Sequence, residues 1–318
     1  MKLGVFTVCL YHMPFEDAAK YLHSQGVQCV EIGAGGYPND THFQTDRFLS
    51  DAAHREQWKD ILKRNELEVS ALSCHGNPVH PVKEEADRYH TQFEKAVLAA
   101  EMLGVDTVIG FSGISGGAPG DRAPNWPTVS WPGEYMDALN YQWEVLVPYW
   151  QKMAQFCTDH GVTKIALEPH GGFSVYSPAT LLRLREAVGP QIGANFDPSH
   201  LIWQGMDPCA CARALEGAIF HVHAKDTKIL KHNADVNGVL DLRHYGDEAN
   251  RSWIFRTVGY GDQDWKALFS TLRLCGYDGA ISIEHEDSLM SPREGLEKAV
   301  AHLKETMMFE DKGSVTWA

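Results

Sequence analysis

Residues 156–170 read FCTDHGVTKIALEPH: the end of an amphipathic helix, a glycine, a short apolar run and a glutamate. The same order recurs at 21–33 (YLHSQGVQCVEIG), 99–111 (AAEMLGVDTVIGF) and 272–284 (LRLCGYDGAISIE). Each glycine stands where a helix C-terminus turns into the left-handed region. Each apolar run is short and lacks polar alternation, as in strands covered on both faces of a parallel sheet. Helix starts are equally regular. Ser177-Pro178, Asp207-Pro208 and Ser291-Pro292 each place a capping side chain before proline at the first helical position, and Asp264 caps DWKALFSTLRL in the same way. The pattern predicts eight strands, at about 2–8, 27–33, 66–74, 105–111, 164–168, 191–197, 218–224 and 279–284, most pairs separated by helix. Eight alternating units predict a (β/α)8 TIM barrel. A doubly wound open sheet is the alternative, but no glycine-rich phosphate fingerprint follows the first strand. The whole chain, 1–318, reads as a single barrel domain.

Two connections exceed plain barrel loops. Residues 112–134 (SGISGGAPGDRAPNWPTVSWPGE) are rich in Gly, Pro and Trp, and 225–261 form a second insertion. Both follow strands and so belong to the face where barrels carry their active sites. Long loops there serve as lids or substrate walls. Trp126, Trp131 and Trp253 favour a lid or an interface over a passive insertion, because an exposed Trp is unfavourable without a partner.

Length and composition narrow the function classes. The chain has 318 residues, 44% of them hydrophobic, enough for a large core. A net charge of −14 argues against nucleic-acid binding, which uses basic surfaces. No run of 18 apolar residues predicts a membrane span. The N-terminal MKLGVFTVCLYHMPFED reads as a first strand rather than a signal peptide. Seven cysteines without paired spacing suggest free thiols in a reducing cytoplasm.

Four apolar runs of the second half end in an acid or imidazole: Glu168 in KIALEPH, Asp197 in IGANFDPSH, His223 in AIFHVHAKD and Glu284 in GAISIEHED. A carboxylate at such a position is costly unless it is paired or coordinates a metal. A salt bridge at the barrel rim would explain any one of them. Four in succession point to one shared cage of oxygen and nitrogen donors for a single divalent cation.

The segments LEPH, NFDPSHLIWQG, HVHAKD, RTVGYGDQDW and GYDGAISIEHED resemble, in order and spacing, the xylose isomerase-like TIM-barrel superfamily. This group of sugar (phosphate) isomerases and epimerases includes ketose 3-epimerases, inosose dehydratases and relatives of endonuclease IV. The resemblance covers essentially the whole chain and is sharpest from Glu168 to Asp287. It implies that Glu168, Asp197, His223 and Glu284 bind one divalent ion, Mn2+ first, with Mg2+, Co2+ or Zn2+ as alternatives. It also implies that Glu168 and Glu284 are catalytic, exchanging protons with the two faces of a substrate carbon. An ion that acidifies a C–H beside a carboxylate makes this chemistry sound without an organic cofactor.

The expected substrate-binding residues are His75, His200, Lys225, Arg256 and Trp126. His200 matches a position at which the family contacts substrate oxygen; alternatively it orients Asp197. His75 ends the third strand and faces the barrel mouth. Lys225 shares the face of His223 by strand period. Arg256 precedes VGYGDQDW and is placed to steer a substrate hydroxyl or carboxylate. His221, also on the face of His223, reads as a satisfied core histidine. No phosphate-binding signal stands out.

The leading expectation is a metal-dependent isomerase or epimerase of a free sugar or keto-sugar, acting through an enediolate. The rival is a lyase that cleaves a 3-keto glycoside or dehydrates an inosose by β-elimination. The Trp/Pro-rich insertion resembles loops of C-glycoside deglycosidase large subunits. A DNA-repair endonuclease and a noncatalytic sugar-binding barrel complete the alternatives; the acidic charge opposes the first and the intact ligand set opposes the second. The expected partners are a small sugar and copies of the same chain, with room for a small partner subunit, and neither nucleic acid nor membrane.

Overall fold

The computed structural model describes residues 1–314. Ten strands occur among them: β1 (Lys2–Phe6), β2 (Cys29–Gly33), β3 (Glu68–Ser73), β4 (Thr107–Gly110), β5 (Lys164–Leu167), β6 (Ile192–Phe196), β7 (Ile219–Ala224), β8 (Asp226–Ile229), β9 (Trp253–Arg256) and β10 (Ala280–Ile283). Eight form a closed parallel barrel in the order β1-β10-β7-β6-β5-β4-β3-β2. These are the eight strands expected from the sequence, each one to three residues shorter than predicted where the two differ most. The remaining pair, β8 and β9, is an antiparallel ribbon inside the second insertion, which the sequence reading left as loop.

Local rules account for the joints. The glycines of the recurring pattern, Gly26, Gly104, Gly161 and Gly276, have φ of 72°, 71°, 76° and 79°. Side chains other than glycine rarely adopt this region, so each glycine lets its helix stop and the chain turn into the next strand. The four expected caps form: Ser177, Asp207, Asp264 and Ser291 accept from the backbone N–H of Thr180, Ala210, Ala267 and Glu294.

Strand alternation splits the interior in two. Ile165 and Leu167 of β5, Ala194 and Phe196 of β6, Val222 and Ala224 of β7 and Ile281 and Ile283 of β10 belong to the main core, packed between barrel and helices. Ala71, Ile109 and Ala166 form a small separate cluster with Phe220. On the barrel strands and at their C-terminal ends, Ser73, Glu168, Asn195, His221, His223 and Ser282 are polar and all buried. A barrel lumen is ordinarily filled by layers of Val, Ile and Leu. Here the layer beneath the mouth is replaced by hydrogen-bonding groups, which places the chemistry of the molecule at that end.

Candidate active site

Glu168, Asp197 and Glu284 are the first residues after β5, β6 and β10, and His223 lies in β7. These strands are consecutive around the barrel. Glu168, Asp197, His223 and Glu284 each offer a ligand atom, and these atoms lie within 4.8 Å of one another. His223 Nδ1 is 3.3 Å from Glu168 Oε2, 4.0 Å from Asp197 Oδ2 and 3.1 Å from Glu284 Oε2. Asp197 also caps the helix Pro198–Trp203: its Oδ1 accepts from Ser199 N at 2.8 Å. That bond turns Oδ2 toward the cluster.

Three buried atoms of the cluster, Asp197 Oδ2, His223 Nδ1 and Glu284 Oε2, have no well-directed hydrogen bond. Buried polar atoms are normally satisfied. Three carboxylates and one imidazole form a donor set for a divalent cation such as Mn2+, Mg2+ or Zn2+. The residues present therefore fit a divalent ion.

Lys225 shares the cluster. Its ammonium lies 3.1 Å from Asp197 Oδ2, 2.5 Å from Glu284 Oε2 and 2.9 Å from Glu286 Oε2. Burial alone would lower the Lys225 pKa, but Asp197, Glu284 and Glu286 outweigh it and hold it well above the usual value. Burial likewise pushes the Glu168 carboxyl up, yet the facing imidazoles of His200, His223 and His75 leave it well below the carboxylate range. Glu284 is held low against burial by Lys225 and His223. Both glutamates are thus ionised near neutral pH and ready to accept a proton.

A pocket of about 300 Å3 opens above the cluster. His75, His170, His200, Lys225 and Glu286 line it together with Glu168 and Glu284, and Phe6, Tyr37 and Phe111 form an aromatic wall. His75 Nε2 is 3.1 Å from Glu168 Oε2, and His200 Nε2 is 3.1 Å from Glu168 Oε1, so both oxygens of Glu168 face an imidazole. His75, His200 and Lys225, chosen from the sequence as substrate contacts, are all brought here.

Arg256 and Trp126 are not. Arg256 Nε pairs with Asp287 at 2.9 Å, its guanidinium lies over the Tyr260 ring, and it is absent from the pocket wall. Asp287 also accepts from Thr257 N, so the pair ties the end of β9 to the segment after β10. Trp126 lines a second, apolar pocket of about 440 Å3, bounded by Leu139, Tyr176, Trp203, Val239 and Leu240. Gly171, the neighbour of His170 in the chain, packs against the two indoles of this second pocket. A Cβ there would meet Trp203 at 2.5 Å and Trp126 at 3.3 Å. The two insertions meet around this second pocket, and Trp131 stands out from it, 82% exposed.

Beneath the pocket, Glu31 and Asn195 are also not singled out from the sequence. Glu31, in β2, is fully buried and receives hydrogen bonds from Ser73, Ser282 and His223. Asn195 donates to Glu168 Oε2 at 2.8 Å and accepts from His221 at 3.0 Å. The signal was present: a glutamate within CVEIG and an asparagine within IGANF are each anomalous inside an apolar run. His221 bonds Asn195 and Ser70, the satisfied core histidine expected.

A family model described as xylose isomerase-like TIM barrel matches residues 19–306. The chain belongs to this family. Among its relatives, the uncharacterized protein YfiH of Bacillus subtilis strain 168 is 42% identical over 313 residues, 96% of this chain and 99% of that protein. An inosose dehydratase of Mesomycoplasma hyopneumoniae strain 7448 is 24% identical, covering 91% of this chain and 88% of the enzyme. Among solved structures, 3-keto-D-glucoside 4-epimerase YcjR from E. coli superposes with a TM-score of 0.68 at 17% identity, covering 96% of this chain and 99% of that one. The chain is thus similar in sequence to a protein named inosose dehydratase and in fold to a 3-keto-D-glucoside 4-epimerase. No helix among the described residues is long and apolar enough to cross a membrane.

Proposed function

We propose that the chain is a divalent-metal-dependent epimerase or isomerase of a free sugar or keto-sugar, working by proton abstraction beside a carbonyl through an enediolate. One observation carries this reading. Glu168 and Glu284 stand at the two ends of a row of four strands, with Asp197 and His223 between them, and both glutamates line the same pocket. An ion held by these four residues, Mn2+ first in the reading, would polarise a carbonyl and acidify its neighbouring C–H. One glutamate takes the proton and the other returns one from the opposite side. Hydrogen bonds from His75 and His200 hold Glu168 in a single orientation. The Lys225 ammonium faces the pocket and is placed to steady negative charge that develops on a substrate oxygen. Phe6, Tyr37 and Phe111 exclude water from one side. A pocket of about 300 Å3 suits a single six-carbon ring or chain.

The relatives named inosose dehydratase support a second reading: the same abstraction followed by loss of a β-hydroxyl or of a glycoside's leaving group. The first step is shared. The test is incubation of the Mn2+-loaded protein with a panel of keto-sugars and inososes in D2O, followed by NMR. The expected result is deuterium at the carbon next to the carbonyl in a new stereoisomer. Release of water or aglycone transfers the assignment to the lyase reading. Turnover without any label, with a shielded single-base transfer excluded by pre-steady-state exchange, sinks proton abstraction altogether.

The seven free cysteines support a reducing, cytoplasmic location within this reading. The exposed Val129, Trp131, Leu240 and Leu242 on the two insertions support self-association or a small partner subunit through that face.

A further inference from the structure

We infer that Glu31 is a positioning residue that fixes the tautomer and orientation of His223, so that Nδ1 is the atom offered to a divalent ion. The inference rests on the metal reading above and concerns a residue on the opposite side of the imidazole from the cluster.

His223 is fully buried, and its two ring nitrogens face different neighbours. Nε2 is 2.9 Å from Glu31 Oε2 and 3.0 Å from Oε1. Nδ1 points to Glu168, Asp197 and Glu284. Glu31 itself is held by hydroxyls from two other strands: Ser282 Oγ donates to Oε2 at 2.7 Å, and Ser73 Oγ donates to Oε1. An ionised carboxylate only accepts hydrogen bonds. With both hydroxyls donating, the short contacts to Nε2 require a proton on that nitrogen. The lone pair of the neutral ring then lies on Nδ1, toward the cluster. One further group approaches Nε2, the Asn195 amide nitrogen at 3.2 Å, which also donates to Glu168 Oε2 at 2.8 Å; the two shorter contacts to the Glu31 carboxylate, which cannot donate, decide the proton on Nε2.

Glu31, His221 and His223 also approach closely enough to suggest a second ion. Their bonding argues otherwise. His221 is occupied at Nδ1 by Asn195 and at Nε2 by Ser70. Glu31 has a donor on each oxygen. The group is a closed hydrogen-bond set, and its one outlet is the imidazole of His223. The phenyl ring of Phe6 stacks on that imidazole at 5.8 Å and 26°, which limits its rotation. A ligating histidine held by a carboxylate on its other nitrogen is both oriented and made more basic, and loss of such a partner costs roughly 10- to 100-fold in metal affinity.

The test is Glu31→Gln. Both carboxylate oxygens lie within 3.0 Å of Nε2, so the amide sets an NH2 beside that nitrogen and loosens the hold on the Nε2–H tautomer. Its oxygen and NH2 can still meet the two serines, so the fold has a route to survive. Mn2+ affinity is measured by calorimetry on metal-free wild type and variant, with circular dichroism and thermal melting alongside. The expected result is a Kd raised roughly 10- to 100-fold with the secondary structure unchanged. A lower Tm with an unchanged Kd means that Glu31 only supports the barrel, and overturns the inference. Wild type that binds no Mn2+ refutes the metal reading itself, a different failure from wild type and variant binding equally. Should Glu31→Gln fail to fold, long-range 1H–15N NMR on the Zn2+-loaded wild type decides the matter. A proton on Nε2 with Nδ1 metal-bound is the expected spectrum, and a proton on Nδ1 overturns the inference.

Discussion

Replacing Lys225 with Met should weaken the metal-free protein and tighten its hold on a divalent ion at once. The ammonium is 2% exposed and touches Asp197 Oδ2 and Glu284 Oε2, two of the oxygens on which the proposed ion depends. Lysine and ion therefore compete for the same negative charge. Methionine keeps most of the length and volume but removes the charge, so packing is largely conserved. Removing one partner of a buried ion pair costs about 3–5 kcal/mol. For a chain of this size that is a fall in Tm of about 10 °C. The gap should narrow as pH falls, because Lys225 helps hold the Glu284 carboxyl low. Stability from a depressed carboxyl is present above its unfolded pKa and is lost as pH drops through the folded value. With the competitor gone, Mn2+ affinity should rise at least about tenfold, each factor of ten adding about 1.4 kcal/mol of stabilisation at fixed ion concentration. Thermal melts with chelator and with Mn2+, together with calorimetry, measure both effects. Turnover should fall despite the tighter ion, because Lys225 lines the pocket. If metal-free Lys225→Met is as stable as wild type, or if Mn2+ stabilises both proteins equally, the ammonium is not the counter-charge and the reasoning fails.

Other substitutions separate the parts of the site. Glu168→Gln and Glu284→Gln should keep the circular dichroism of wild type while lowering kcat about 100-fold or more, with Mn2+ binding reduced in the same samples. Exhaustive chelation, with residual metal confirmed by mass spectrometry, should abolish turnover and spare the fold; full activity in such a sample contradicts the metal assignment. Asp287→Asn should cost about 1–2 kcal/mol at neutral pH through lost charge-assisted bonds to Arg256 and Thr257 N. Asp287 is a lowered carboxyl, burial being outweighed by Thr257 and Arg256, so the difference in Tm between wild type and variant should shrink as pH falls through the carboxylate range. Trp126→Ala should leave Mn2+ affinity and the KM for a monosaccharide within about twofold of wild type, since Trp126 lines the second pocket; a tenfold rise in KM would place that ring against substrate.

The barrel was legible because its signals are local. A left-handed glycine, a capping Ser or Asp before proline and an apolar run of five residues each follow from short-range sterics and hydrogen bonding, and they recur at a spacing only a few folds accommodate. The ribbon β8–β9 was hidden for the opposite reason. Its strands are separated by the 23 residues from Leu230 to Ser252, and Asp226 ties the return through Gly259 N, Gln263 N and Trp265 Nε1. Those partners are distant in sequence, and none has a fixed offset that pattern reading can detect.

The same division runs through the site. Strand ends advertise themselves, because a charge that terminates an apolar run is conspicuous; Glu168, Asp197, His223 and Glu284 were found that way. A charge inside a run is equally costly, and Glu31 was passed over because the strand around it, CVEIG, reads as ordinary core. Register settles the matter. Parallel pairing sets Glu31 of β2 opposite Ala71 of β3, two residues before Ser73, and Ser282 of β10 opposite His223 of β7. Side chains of three other strands, Ser73, Ser282 and His223, thus converge on one carboxylate. Arg256 and Trp126 show the converse case. Each has chemistry suited to a sugar, yet Asp287 claims the guanidinium and the indole lines a second pocket. Residue type proposes a role, but competing partners decide it, and those partners are known only when the barrel has closed.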